Sequence, residues 1–280
     1  MQVKVMVQMQ NAKVSSERVA HILAWRDDAI AQGTLGKCVA HIEGGTGSPS
    51  GCLRILMTYA EVFAMAAWYE SHDLAALKTW LYARAKLEHI LMNPPYGEAG
   101  VLAAYENRAL HGLFPLISDH PGLIDWYSKL DGRFDARRVA NPKAFEFWTK
   151  QFFLALRGEW DVLVERSESI IANPPSASRE KKFLIDHEFY IALARGDVDK
   201  MQSTIEELIS PKVNARRIAL EEGFRAGLIS TPAVIYGKLA YRHGYEIVVE
   251  SPYVPLEWLS IAPLAEYVDP FDFMIRYEVE

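Results

Sequence analysis

The 280-residue chain has a globular composition, with 50% hydrophobic, 24% charged and 11% aromatic residues. These proportions exclude disordered, collagen-like and low-complexity proteins. Thirty Lys and Arg against 36 Asp and Glu give a formal net charge of −6. This charge argues against nucleic-acid and anionic-membrane partners, because both attract basic surfaces. The length allows one large domain or two small ones, and we expect a self-sufficient protein with a large hydrophobic core. The helical patterns described below favour a single helical domain over residues 1–280.

The N-terminal residues show no targeting signal. Residues 1–14 alternate apolar and polar side chains and lack the continuous apolar run of a secretory signal. The alternation predicts a short strand or an ordered extension. The most apolar stretch, residues 55–69, contains Glu61 and is shorter than the roughly 20 residues of a membrane span. We expect a buried helix there, no membrane partner and a cytoplasmic location.

Helical periodicity dominates between residues 15 and 243. The spacing of apolar residues and of helix-ending Gly and Pro residues predicts helices over residues 15–32, 52–70, 72–92, 98–111, 119–130, 143–157, 159–172, 181–195, 197–209 and 231–243. Residues 41–51 (HIEGGTGSPSG) predict a flexible loop. No Gly-Lys-Ser/Thr follows these glycines, so a phosphate-binding loop is not indicated.

Residues 141–211 contain an internal repeat. Residues 157–161 (RGEWD) and 195–199 (RGDVD) share the form Arg-Gly-acid-apolar-Asp. Each lies between two predicted helices, where glycine permits a tight reversal and the acids lie at the positive end of the next helix. The pattern predicts two repeat-like helical hairpins, with a spacing similar to that of helical-repeat arrays.

Residues 231–280 predict a C-terminal helix, a short strand and an aromatic tail. The β-branched residues of segment 245–250 (YEIVVE) favour the strand. The predicted fold class is therefore mainly α, with stacked antiparallel helical hairpins. It includes a short extended or β segment near the C-terminus and a second candidate for such a segment at the N-terminus.

Motifs for metal, nucleophilic or nucleotide chemistry are not found. His187-Glu188 lacks the second histidine of a zinc-binding His-Glu-x-x-His motif, and we expect His187 to be a partly exposed helix residue. Cys38 and Cys52 form no Cys-x-x-Cys pair, and we expect small buried hydrophobes rather than nucleophiles. No Gly-x-Ser-x-Gly elbow occurs. We predict no catalytic, metal-binding or cofactor-binding residue, and no enzyme.

Two acidic groups are candidates for contact with a protein partner. The first group is Asp125, Trp126, Asp131 and Asp135, and the second, at the two hairpin apices, is Glu159, Asp161, Asp197 and Asp199. Carboxylates of the first group could equally cap helices, neutralise nearby arginines at 133, 137 and 138, or act in pairs as acid and base.

Several C-terminal motifs occur in one order: residues 232–240 (PAVIYGKLA), Gly244, residues 246–251 (EIVVES), residues 253–255 (YVP) and Trp258-Leu259. This order resembles the close of the Imm49 family of bacterial immunity proteins. In that family a helix leads through a glycine into a short extended segment and then a Tyr-x-Pro-like element. Members are mostly helical and of similar length.

The resemblance implies the antidote half of a polymorphic-toxin or contact-dependent inhibition pair. Such a protein binds a cognate toxin domain in the cytoplasm of the producing cell and blocks its active site or substrate access, without a cofactor. The acidic charge would suit a basic toxin such as a nuclease. Two other classes stay open: a helical-repeat adaptor or scaffold, which the hairpins suggest, and an enzyme with a dispersed active site.

Overall fold

The computed structural model describes residues 2–97, 108–217, 221 and 223–279. Most of these residues are helical, and within the described ranges the backbone forms no β-strand, only an isolated bridge between Ala226 and Ile229. The predicted mainly-α class is confirmed. None of the described helices is long and apolar enough to cross a membrane.

The first four helices form a packed layer. They are α1 (Gln2–Gln32), α2 (Thr34–Glu43), α3 (Pro49–Ser71) and α4 (Leu74–Met92). Helices α3 and α4 pack along each other through fully buried leucines such as Leu56 and Leu81, and α1 and α2 lie against α3. The hairpin turn is short because His72 adopts a left-handed conformation and Asp73 caps α4 by accepting the Ala76 N–H at 2.9 Å.

The strand predicted over residues 1–14 is wrong for the described residues 2–14, which belong to α1. A helix satisfies its backbone hydrogen bonds within itself, whereas a strand needs a neighbouring strand. The described part of the chain offers no such neighbour. Met1 lies outside the described residues.

The loop predicted over residues 41–51 is shorter in the structure and spans residues 44–48. Residues 41–43 complete the last turn of α2, and Pro49 opens α3. Proline is tolerated there because the first helical N–H groups have no partner within the helix. Ser48 Oγ accepts the Gly51 N–H at 3.2 Å and so caps the helix.

Short helices connect the first layer to the hairpins. They are α5 (Arg108–His111), α6 (Leu113–Ser118), α7 (Pro121–Ser128) and α8 (Ala136–Ala140), with a 3-10 turn at Leu130–Arg133. Most of the helix predicted over residues 98–111 lies outside the described residues. The helix predicted from residue 119 begins at Pro121 instead, because Asp119 adopts a left-handed conformation with φ 59°.

The hairpin region contains α9 (Phe145–Arg157), α10 (Trp160–Ala172), α11 (Ser178–Lys181), α12 (Leu184–Arg195), α13 (Val198–Leu208) and α14 (Pro211–Arg217). Helices α9 and α12 both end at a glycine in the left-handed region, Gly158 (φ 71°) and Gly196 (φ 67°). This conformation reverses the chain within two residues. Helix α10 packs against α12, so the two hairpins lie side by side.

The strand predicted over residues 245–250 is wrong. These residues follow α15 (Thr231–Arg242) and show the alternation of a strand, with Ile247 and Val249 buried and Val248 exposed. Their backbone groups, however, bond to helix side chains rather than to another strand. The Val248 N–H donates to Gln202 Oε1 at 3.2 Å, and the Ile247 carbonyl accepts from the Tyr241 hydroxyl at 3.2 Å.

The C-terminal residues close the core through a buried charge cluster. Lys78 and Lys238 both donate to Oδ2 of the Asp119 carboxylate, at 2.7 and 3.0 Å. Their ammonium groups also donate to the carbonyls of Ser260 (2.7 Å) and Ala262 (2.5 Å). All three ionised side chains are at most 2% exposed. The cluster therefore attaches the C-terminal segment to α4 and α15.

Candidate partner-binding face

The two hairpin turns lie at the same end of the helical layer. The Trp160 ring, beside Gly158, lies 4.6 Å from the His243 ring, and the Tyr245 ring lies against Gly196. Since His243 and Tyr245 are two residues apart, the connection after α15 links both turns. We call the surface formed by residues 157–161, 195–199 and 243–245 the apex face.

The apex face carries exposed carboxylates at the starts of helices α10 and α13. Asp161 and Asp199 are exposed in the first turn of their helices, and neither carboxylate bonds to any residue that the structure describes. Asp197 caps α13 by accepting the Lys200 N–H at 3.0 Å. These positions are electrostatically favourable because a helix N-terminus carries partial positive charge. The carboxylates therefore need no cationic neighbour and are available to a partner.

Arg157 joins the two acidic groups that the sequence singled out. Its Nη1 and Nη2 donate to both oxygens of Asp131, at 2.8 and 2.9 Å, while its Nε donates to Glu159. Lys150 also donates to Asp131, at 2.5 Å. These bonds hold Arg157 in place. Asp131 was a candidate for contact with a partner, but it is only 6% exposed.

The other members of the first group differ in their surroundings. Asp125 is exposed and pairs with Lys129 at 2.6 Å, and its carbonyl accepts from Ser128, whose own carbonyl accepts from Arg157. Asp135 caps α8, so the capping alternative applies to this residue. Trp126 is half-buried and contacts the His89 ring edge-on at 4.9 Å. The Asp125 backbone is therefore linked to Arg157 through Ser128, whereas the Asp135 side chain caps a helix.

Two aromatic residues of the apex face were missed by sequence reasoning. Trp160 and Tyr245 are half-buried beside the two turns. Trp, Tyr and Arg residues are enriched among the residues that dominate protein–protein affinity. Trp160 follows Gly158-Glu159 directly, so the repeat motif itself was the available signal. Tyr245 could not be found in this way, because its approach to Gly196 depends on the path of the chain after α15.

The residues considered for catalysis or metal binding have the following surroundings. Of the carboxylates considered for acid–base chemistry, Asp131 is ion-paired with Arg157 and Asp135 caps α8. No group of three His, Cys, Asp or Glu residues in the described ranges could hold a metal ion. Cys38 and Cys52 are both buried, and burial, followed by the proximity of Cys52, raises the pKa of Cys38 to about 11. This thiol is therefore protonated at neutral pH.

His187 differs from its predicted state. It was expected to be partly exposed, but it is only 1% exposed between α9 and α10. Its Nδ1 lies 3.2 Å from Ser167 Oγ, and its ring lies 4.9 Å from that of Trp148. Burial, followed by the charge of Arg166, lowers the pKa of His187 to about 3. The imidazole is therefore neutral at physiological pH.

One segment of the chain matches a known protein family. The family model of immunity protein 49 (Imm49) matches residues 164–258, about a third of the chain. The segment begins within α10 and ends at Trp258, and it includes Asp197 and Asp199 of the apex face. No curated protein and no solved structure matches the chain. The resemblance to Imm49 seen in the C-terminal motifs is confirmed.

Proposed function

We propose that this protein, whose residues 164–258 match the Imm49 family, is an immunity protein that binds and neutralises a cognate bacterial toxin domain. The family match carries the proposal. Neutralisation follows from binding alone, by occlusion of the active site of the toxin or of its access to substrate, in the cytoplasm of the producing cell. The protein itself performs no chemistry and needs no cofactor.

We further propose that the apex face binds the toxin. Its exposed carboxylates lie on the ends of packed helices, so little conformational entropy is lost when a partner orders them. The half-buried Trp160 and Tyr245 supply apolar contact beside these charges. An acidic face favours a basic partner, such as a nuclease domain, because complementary charge accelerates association.

Co-expression with the neighbouring toxin tests this function. The toxin domain encoded beside the gene for this protein is expressed in a susceptible cell, with and without the full chain, and the purified pair is analysed by size-exclusion chromatography. We expect restored growth and co-elution as a stable complex. Unchanged killing together with separate elution would refute the immunity function.

A scaffold that joins other proteins is the second candidate. The supporting observation is the pair of adjacent hairpins, α9–α10 and α12–α13, each turning at a left-handed glycine after a shared Arg-Gly-acid motif. A scaffold would bind partners without protecting cells from the toxin. Growth protection in the co-expression experiment therefore distinguishes the two functions.

A further inference from the structure

The ends of helices α11 and α14, which both carry basic residues, meet in the structure. Arg217 Nη1 donates to the Lys182 carbonyl at 2.8 Å. The Arg217 guanidinium and the Lys182 ammonium lie 5.4 and 5.2 Å from the centroid of the Phe183 ring. Lys181 and Arg216 are exposed, each one residue from the bond between Arg217 and Lys182. Two basic segments that are distant in the sequence therefore form one surface.

Aromatic rings lie beside these cations. The Trp148 and Phe145 rings lie 5.0 and 6.4 Å from the Phe183 ring. Phe145 is 38% exposed, and Trp148 and Phe183 are half-buried. We call the surface formed by Phe145, Trp148, residues 181–183 and Arg216 the basic face. Interfaces between proteins combine a centre enriched in aromatic residues with polar residues around it, and the basic face has this composition.

Three cations of the basic face have no ion-pair partner among the described residues. They are on Lys181, Lys182 and Arg216. Arg217 differs, because its two terminal nitrogens donate to the buried Asp186, at 2.7 and 2.9 Å. Burial, followed by the charge of Arg217, lowers the pKa of Lys182. An anionic group bound at this face would therefore compensate cations that now repel each other.

The described carboxylates near these cations in the sequence are mostly buried or paired. Glu180 is only 7% exposed, and Glu221 accepts from the Thr231 N–H and hydroxyl at 2.8 and 2.6 Å. The next described acids along the chain are Glu188, which pairs with Lys200, and the exposed Glu206 and Glu207, which the exposed Lys212 follows. The exposed charge at this end of the hairpins is therefore more positive than negative.

The basic face and the apex face lie at opposite ends of the same two helices. Helix α9 begins at Phe145 and ends at the Gly158 turn, and α12 begins next to Phe183 and ends at the Gly196 turn. The two helices thus run in the same direction, and each is about 18–20 Å long at a rise of about 1.5 Å per residue. The hairpin region has one basic end and one acidic end.

The two ends are complementary in charge and in composition. The apex face presents the exposed Asp161 and Asp199 carboxylates beside the half-buried Trp160 and Tyr245. The basic face presents cations beside half-buried aromatic rings. Complementary charges select partners and accelerate association, although each exposed ion pair is weak by itself. The aromatic contacts are then the main source of affinity.

We propose that the protein associates head to tail, with the basic face of one copy bound to the apex face of a second copy. Because the contact joins two different surfaces, it extends into a chain of copies or closes into a ring. This association requires no toxin and does not rest on the immunity function. If the apex face also binds the toxin, as proposed above, toxin binding and self-association exclude each other.

Sedimentation equilibrium of the full chain, at concentrations up to the millimolar range, tests the proposal. At low salt we expect the average mass to rise above that of the monomer as the concentration increases. The association constant should fall at least about tenfold at about 0.5 M salt, because salt screens charges at exposed surfaces. A chain that stays monomeric at low salt and millimolar concentration would overturn the proposal.

Two charge-reversed variants identify the surfaces. The apex variant is Asp161→Lys, Asp199→Lys, and the basic-face variant is Lys181→Glu, Arg216→Glu. All four side chains are exposed without a described ion-pair partner, so we expect a native helical circular dichroism spectrum. Each variant alone should self-associate at least about tenfold more weakly than the parent, since like charges then face each other. A variant that associates as the parent does would overturn the proposal.

An equimolar mixture of the two variants should recover the association, because opposite charges meet again at each contact. From the parent's formal charge of −6, the apex variant carries −2 and the basic-face variant −10, so both are negative and their net charges repel. Recovery would therefore come from the two faces. A mixture that associates no better than the separate variants would overturn the proposal.

The matched control is Glu257→Lys, Asp272→Lys, which has the same net charge as the apex variant. Both residues are exposed acids in 3-10 turns and belong to neither face. This control should self-associate within about twofold of the parent, because only the net charge has changed. A loss as large as that of the apex variant would assign the effect to net charge and overturn the proposal.

Discussion

Arg157 and Asp131 form a two-bonded ion pair, 2.8 and 2.9 Å, that connects the end of α9 to the 3-10 turn after α7. Asp131 is buried, whereas the Arg157 side chain is 23% exposed. The pair therefore joins the first acidic group to the apex face. It also fixes the position of Glu159, to which Arg157 Nε donates.

The substitution Asp131→Asn tests this connection. The amide cannot neutralise Arg157 and Lys150, so we expect a loss of about 2 kcal/mol in the free energy of unfolding. This is below the 3–5 kcal/mol of a fully buried pair, because Arg157 is partly solvated. Urea unfolding followed by circular dichroism measures it. The control is Asp125→Asn, which removes an exposed pair with Lys129 that should contribute less than about 1 kcal/mol. Equal effects of the two substitutions would contradict a stabilising role of the Arg157–Asp131 pair.

Charge reversal on the apex face tests its role in toxin binding. The carboxylates of Asp161 and Asp199 bond to no described residue. The double variant Asp161→Lys, Asp199→Lys should therefore lose only about 1–2 kcal/mol in the free energy of unfolding, because a positive charge is unfavourable at a helix N-terminus. We expect association with a basic toxin to slow at least about tenfold at low salt, with a smaller effect at high salt. Surface plasmon resonance measures the rates.

The control for charge reversal is Asp272→Lys, which changes an exposed acid in the first turn of the 3-10 helix Asp272–Arg276, away from the apex face. The association rate of this variant should change less than about twofold, after allowance for its net charge change of +2 against +4 in the double variant. An unchanged rate in the double variant, with the toxin still bound, would exclude the apex face as the binding surface.

Because His187 is buried as a neutral imidazole, we expect the folded protein to lose stability in acid. Its pKa of about 3 in the folded protein lies below the ordinary value of 6.5, so the unfolded chain binds more protons between these two pH values. Stability from this group is therefore present above pH 6.5 and is lost as the pH falls. Between pH 6.5 and 4.5 we expect a loss of about 2 kcal/mol.

Parallel urea titrations of the parent chain and His187→Phe isolate this contribution. The variant lacks the titrating group, so its stability should decline less steeply by about 1 kcal/mol per pH unit over the same interval. Identical slopes would show that His187 is not buried as a neutral imidazole.

Asp119→Asn tests the attachment of the C-terminal segment. It leaves two buried ammonium groups, on Lys78 and Lys238, without an anion, and we expect about 3–5 kcal/mol of destabilisation. Limited proteolysis should then cleave first near Ser260 and Ala262, whose carbonyls accept from these lysines. A variant that keeps the parent's protease resistance would contradict the proposed attachment. Asp125→Asn again serves as the control.

Local sequence signals identified much of the helical pattern. The glycines at 158 and 196 mark the ends of α9 and α12, and Thr231-Pro232 marks the start of α15, as expected from their backbone preferences. The same signals placed the carboxylates of the apex face at helix starts. These features depend on residues within one or two turns of each other, which is why a sequence reveals them.

The alternation of apolar and polar residues was a less reliable sign of a β-strand. Segment 245–250 buries alternate side chains as a strand does, yet its backbone bonds to Gln202 and Tyr241. Whether an extended segment becomes a strand depends on a neighbouring strand, and the hydrophobic pattern carries no information about that neighbour.

The sequence by itself determined the mainly helical class, the hairpin turns and the resemblance to Imm49, because each rests on short-range patterns or on ordered motifs. The tertiary structure decided that Asp131 is buried against Arg157, that His187 is enclosed beside Trp148, and that Tyr245 reaches the apex face. These contacts join residues on different helices. Their burial and charge compensation follow from how the helices pack, which no local sequence pattern specifies.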